Sequence, residues 1–150
     1  MSRWMKGKKM DRELYETLMN DSFLRNFDWL LMDPDNPQRS NELGIMLSDL
    51  GEQELASMYF HRGYQLMKEE TEPGTAAPED LMENYGSTLY LLGRFEEALT
   101  VYQEALQIQP ENEAIIEKLG ALYYLLGNDT LSVQMYKILA DRKGESFNHE

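Results

Sequence analysis

The side chains that most often do chemistry are scarce in this 150-residue sequence. His61 and His149 are its two histidines, and there is no cysteine. That removes disulfides, thiol nucleophiles and Cys-based zinc sites. Two histidines with carboxylates could in principle hold a metal, but nothing in their setting singles them out, and neither is read as a ligand. No phosphate-cradling G-x-x-x-x-G-K-[ST] loop and no G-x-S-x-G nucleophile turn occurs. The run Asp33-Pro34-Asp35-Asn36 begins like a calcium loop. It then departs from one, with Gln38 at the position of the turn glycine and Gly44 at that of the bidentate glutamate. Acidic pairs such as Glu69-Glu70 and Glu96-Glu97 read as solvated helix faces. No metal, no cofactor and no enzymatic activity are expected.

Charge narrows the partners. The formal net charge is −13, and residues 1–10 alone carry Arg3, Lys6, Lys8 and Lys9 with no acid. The remaining residues hold 10 basic against 27 acidic groups, a balance of −17. Such a body repels phosphate backbones, so nucleic acid is excluded as a partner, and a basic partner is favoured. Apolar residues make up 42% and charged residues 27%, a soluble folded composition. No apolar run approaches the roughly 20 residues of a membrane span, and the N-terminus lacks the apolar core of a secretory signal. Membrane insertion is therefore not expected, and a cytoplasmic location is. The sequons Asn20-Asp21-Ser22 and Asn128-Asp129-Thr130 then read as chance.

What remains is a pattern of helices. Sliding residues 78–110 over the following stretch by 34 places Gly86 on Gly120, Tyr90 on Tyr124, Leu92 on Leu126, Gly93 on Gly127 and Tyr102 on Tyr136. A period of that length in helix-forming sequence marks a stacked helix–turn–helix unit. Gly44 precedes Gly86 by 42, which is 34 plus the eight-residue run Thr71–Pro78, rich in turn formers. Apolar spacing predicts helices over about 11–19 and 22–32, a turn at Asp33–Pro37, and a helix pair within 37–70 separated at Gly51. Four more helices follow at about 79–92, 96–109, 113–126 and 130–142. Pro110 separates the middle two, Asn128-Asp129-Thr130 caps the last, and Gly144 is its expected stop. Residues 1–10 form a basic flexible start and 145–150 a loose tail.

These residues carry a resemblance. The second copy holds Met82, Tyr85, Gly86, Leu89, Gly93, Phe95, Ala98, Tyr102, Ala105 and Pro110; the first keeps Leu43, Gly44, Leu47, Gly51, Ala56 and Phe60; the third keeps Leu119, Gly120, Tyr123, Gly127 and Tyr136. In this the chain resembles the tetratricopeptide repeat family. The third copy departs from the family at Ser132, where alanine is usual, and at Leu139, where a small residue is usual. The resemblance implies an all-α fold, a right-handed α-solenoid of antiparallel helix pairs. It would have about three repeats, at 37–70, 79–112 and 113–144, preceded by a degenerate unit over 11–36. Together these form one domain over 11–144.

The resemblance also implies a function: a non-catalytic module binding a peptide or helix of another protein in a concave groove lined by the first helix of each pair. The matching positions are Gln38, Asn41, Ile45, Ser48 and Asp49 in the first repeat. They are Asp80, Glu83, Asn84, Ser87 and Tyr90 in the second, and Ala114, Glu117, Ala121 and Tyr124 in the third. Tyr90 and Tyr124 are expected to stack within an acidic rim, so the partner segment should be basic or amphipathic; equally, both rings could be packing between repeats. Glu83 and Glu117 argue against binding acidic C-terminal tails. Two alternatives stand beside the adaptor. One is a small acidic chaperone of the size and charge of three-repeat secretion chaperones. The other is a self-assembling subunit, or homodimer, using Leu131, Met135, Ile138 and Leu139, with neighbouring Val133, which no further helix covers.

Overall fold

The computed structural model describes Asp28, residues 30–69 and residues 80–148, with side chains described as far as Gly144. The basic start, the helix expected at 11–19, most of the helix expected at 22–32 and the loop at 71–78 lie outside the described residues. Residues 30–32 are helical and end at a turn over 33–35. Six helices follow: α1 (Pro37–Asp49), α2 (Gln53–Glu69), α3 (Leu81–Leu91), α4 (Phe95–Ile108), α5 (Glu113–Leu125) and α6 (Asp129–Asn148). Among the described residues there is no strand. The class is that expected from the sequence, an all-α solenoid of helix pairs.

Local chemistry sets these boundaries. Asn36 caps α1, its side chain accepting from the Gln38 amide at 2.9 Å, and Pro37 takes the first helical position, where its missing N–H costs nothing. Asn112 caps α5 in the same way through Ile115 N, and Asn128 Oδ1 accepts from Leu131 N at 3.2 Å.

The pair turns are three copies of one device. Gly51, Gly93 and Gly127 have φ of 80°, 76° and 83°. At each, the glycine N–H donates three residues back, to Ser48, Tyr90 and Tyr124. The next N–H donates five residues back: Glu52 to Leu47, Arg94 to Leu89, Asn128 to Tyr123. This arrangement satisfies the last carbonyls of a helix, and its left-handed residue is a glycine because a side chain would be strained there.

Gly144 behaves differently. α6 passes through it and continues to Asn148, so the stop expected there, and the expected loose tail as far as Asn148, are helix. A lone helical glycine costs only about 1 kcal/mol relative to alanine. No heavy atom stands within 4 Å of where its Cβ would lie, so nothing forces the backbone to turn.

The chain divides into two compact units between Asn84 and Tyr85, within α3. In the first, α1 packs on α2 around Leu43, Leu47, Leu55, Ala56 and Phe60, with Leu81 and Met82 also buried. In the second, α4 packs on α5 and α5 on α6, around Val101, Tyr102, Ile115, Ile116, Leu119 and Leu122. Gly86 lets the Tyr102 ring lie directly on α3, and Gly44 does the same for Phe60 on α1. Close approach of helices at small residues, with an aromatic filling the gap, is the packing that the repeated glycine–aromatic spacing encodes.

Candidate interaction surfaces

In the N-terminal unit, the positions expected to face a groove divide into a buried network and an exposed edge. Asn41 is only 2% exposed. Its Nδ2 donates to Asp80 Oδ1 at 3.1 Å, and its Oδ1 accepts from Asn84 Nδ2 at 3.2 Å. Asn84 Nδ2 also reaches Asp80 Oδ2 at 3.3 Å. Asn41 is therefore a buried tie between α1 and the start of α3, not an open contact, because its amide is already held by two neighbours. Ser48 Oγ donates to Gln53 Oε1 and the Ser48 carbonyl accepts from Gln53 Nε2, both at 3.2 Å. Gln38 is exposed and donates to Glu42 at 3.2 Å; Ile45 and Glu83 are half-buried, while Asp49 and Asp80 are exposed.

A separate apolar cavity of about 300 Å³ lies in this unit, lined by Leu30, Leu31, Pro34, Met58, Tyr59 and Arg62. Arg62, one of its lining residues, is paired with Asp35 Oδ1 at 3.1 Å. Burial pushes the Tyr59 phenol up to about 12.

In the C-terminal unit, Tyr90 and Tyr124 do not form the expected stack. Tyr90 is half-buried, with its ring edge-on to Phe95 at 5.4 Å and Lys118 Nζ 5.4 Å from its centroid. Tyr124, at the equivalent position one repeat later, is 68% exposed. The difference has a local cause: Phe95 follows the α3–α4 turn, whereas Asp129 holds its place after the α5–α6 turn. Ser87 and Ala121 are half-buried, and Ala114, Glu117 and Lys118 are exposed. Leu125 and Leu126, which follow Tyr124 in the chain, are exposed as well. A shallow cleft of about 330 Å³ lies between Leu126 and the α3–α4 turn, lined also by Gly93, Arg94, Phe95, Glu96 and Glu97. By spacing, Phe95 and Leu126 read only as members of the repeat pattern, and the position of Lys118 over Tyr90 was not legible. Only the paired glycine turns, which bring Arg94 and Asn128 to matching places, hinted at such a cleft.

α6 buries a narrow stripe. Ser132 is buried and its Oγ donates to the Gly120 carbonyl at 2.8 Å, and Met135, Leu139 and Arg142 are half-buried at the same helical spacing. Of the residues expected to self-associate, Leu131, Met135 and Leu139 are half-buried, and Ile138 is exposed. Val133 and Tyr136 are exposed as well, at 65% and 45%.

Among the described residues no group of three or more His, Cys, Asp or Glu could hold a metal ion, and no helix is long and apolar enough to cross a membrane.

Comparison with known proteins bears on the fold more than on any partner. Residues 86–127 match the TPR repeat family. The human protein O-mannosyl-transferase TMTC1 is 25% identical over 122 residues, covering 72% of this chain and 13% of that protein. The human cell division cycle protein 16 homolog is 26% identical over 117 residues, covering 77% of this chain and 19% of that protein. The chain thus spans less than a fifth of the length of these curated relatives. A solved structure of MamA superposes on 92% of this chain and 74% of its own length, with a TM-score of 0.70 at 17% identity. Another MamA crystal structure covers 82% of this chain and 63% of its own, with a TM-score of 0.64 at 19% identity. At such identities the likeness shows a shared solenoid fold.

Proposed function

We infer that this chain, a tetratricopeptide-repeat protein, is a non-catalytic interaction module. It takes a peptide or helix of a partner protein on the face presented by the first helices of its pairs. The observation that carries this reading is Tyr124. Its counterpart Tyr90 is engaged by Phe95 and Lys118, whereas Tyr124 stands 68% exposed beside exposed Leu125 and Leu126. A rigid aromatic side chain offered to solvent beside apolar neighbours is the kind of anchor that dominates binding energy at interfaces.

In the C-terminal unit the binding face comprises Ser87, Tyr90, Glu117, Ala121 and Tyr124. In the N-terminal unit it comprises Ile45, Ser48, Asp80 and Glu83, with Asn41 and Asn84 holding Asp80 in place. The acidic balance of residues 11–150 favours a basic or amphipathic segment as the occupant, mainly by steering encounter. A sequence without cysteine is consistent with the cytoplasm, where we place this activity.

The test is capture from a native lysate on immobilised wild type and Tyr124→Ala, followed by mass spectrometry. Partners retained by the wild type and lost on the variant, and bearing a basic or amphipathic segment, support the reading. An identical set on both surfaces, or none on either, rejects it. If the partners lost are aggregation-prone proteins kept soluble by the wild type, the chaperone form of the reading is favoured over an adaptor.

A further inference from the structure

The helix pairs use one kind of aromatic residue in two different ways. Phe60 on α2 and Tyr102 on α4 lie over the glycines of their preceding helices, Gly44 and Gly86, and are 1% and 2% exposed. Tyr136 on α6 lies over Gly120 in the same manner, yet it is 45% exposed. α4 also receives α5. α6 repeats in register the α4 face that carries Gln103, and in α6 that face is exposed. The register shows what that face offers. Leu99, Tyr102, Gln103 and Leu106 of α4 correspond to Val133, Tyr136, Lys137 and Ala140 of α6, and all four α6 residues are exposed. At Gln103, α4 makes its polar contact across to α5, with Nε2 donating to the Tyr123 hydroxyl at 3.0 Å. α6 places a lysine at that position.

We propose that α6 binds the α6 of a second copy of this chain, antiparallel, through Val133, Tyr136 and Ala140, with Lys137 of each copy paired to Asp141 of the other. Charge favours this occupant. The chain as a whole is at −13, so most of its surface repels a second copy. α6 itself is balanced, with three acidic residues (Asp129, Asp141, Glu145) and three basic ones (Lys137, Arg142, Lys143). Lys137 and Asp141 are exposed and four residues apart, so they share one face. An antiparallel two-fold axis level with Leu139 brings each lysine opposite the other copy's aspartate, and symmetry makes the pair twice. Ala140 next to that axis has the small side chain that lets two helices approach to about 8 Å. Helix α6 has 20 residues, about 30 Å of length, enough for a modest isologous interface. This surface is separate from Tyr124, so it stands or falls independently of the partner-binding reading.

Sedimentation velocity across a concentration series tests the proposal, with far-ultraviolet circular dichroism as a control for folding. Wild type is expected to pass from one copy to two over the micromolar range. Val133→Glu and Lys137→Asp should each raise the midpoint of that transition at least tenfold. Combining Lys137→Asp with Asp141→Lys should bring it back to within a few-fold of wild type. Val133 and Lys137 are exposed, so the variants should keep wild-type helicity; if Val133→Glu does not, Ala140→Glu replaces it. A wild type that stays a single copy throughout overturns the proposal, as does a dimer indifferent to both single changes. A double variant that stays a single copy overturns the antiparallel pairing.

Discussion

Replacing Gly86 with alanine should destabilise the protein, while the same change at Gly120 should not. A Cβ on Gly86 would stand 2.7, 2.8 and 3.0 Å from three ring carbons of Tyr102. That ring lies against α3 and is only 2% exposed, so it has little free volume into which to move. Overpacking costs about 1–3 kcal/mol, and contacts under 3.0 Å to a buried ring put this case at the upper end, about 2–3 kcal/mol. The alanine recovers up to about 1 kcal/mol of helix propensity, leaving a net loss of about 1–2 kcal/mol. For a domain of this size each kcal/mol corresponds to about 2–4 °C in melting temperature, so Gly86→Ala should melt roughly 2–8 °C below wild type. On Gly120 the distances to Tyr136 are 3.0, 3.0 and 3.3 Å, and the ring is half-exposed. It can swing outward by a few tenths of an ångström at little cost. The propensity gain then survives, and Gly120→Ala should melt at or up to a few degrees above wild type. Thermal melts of the two variants, followed by circular dichroism, decide the matter. A Gly120→Ala that falls as far as Gly86→Ala, or a Gly86→Ala that matches wild type, would refute the packing argument. Dimerisation through α6 would move Gly120→Ala toward Gly86→Ala, so the melts belong at concentrations below the association midpoint.

Other expectations follow from the same structure. Asn41→Leu removes both hydrogen bonds of the buried amide while leaving Asp80 and Asn84 paired with each other, and should cost about 0.5–1.5 kcal/mol in a urea titration; an unchanged midpoint would mean the network contributes nothing. Tyr59 ionises in the unfolded chain near its ordinary 10.0 and in the folded chain near 12. Between those values the folded state holds the extra proton, so stability falls as pH rises from 10 to 12. Tyr59→Phe should flatten that fall in alkaline melts, and an unchanged slope would show the phenol to be freely solvated. Tyr124→Ala should stay within about 0.5 kcal/mol of wild-type stability, since the ring is mostly in water; a cooperative loss of structure would instead make Tyr124 a packing residue.

The sequence was informative wherever a rule acts over a few residues. Left-handed glycines at 51, 93 and 127, the asparagine caps at 36, 112 and 128, and the glycine–aromatic pairs 44/60, 86/102 and 120/136 are each local requirements with a fixed spacing, so they repeat and can be read. The stop at Gly144 misled because a glycine ends a helix only where the chain must turn, and nothing packed near residue 144 makes it turn. The candidate surface was legible as a set of positions but not as a set of roles. Asn41 and Tyr124 occupy the same side of their respective helices by spacing. One is buried by Asp80 and Asn84, and the other is left in solvent.

By itself, then, the sequence determined the helices, their pairing and the period of the repeat, because these follow from backbone preferences and apolar spacing along a single stretch of chain. Only the tertiary structure decided which repeated side chains are still free to meet a partner. Tyr102 and Tyr136 are the same residue at the same step of the repeat. Whether each is core or surface depends on what the rest of the fold lays against it, and no spacing within either repeat carries that information.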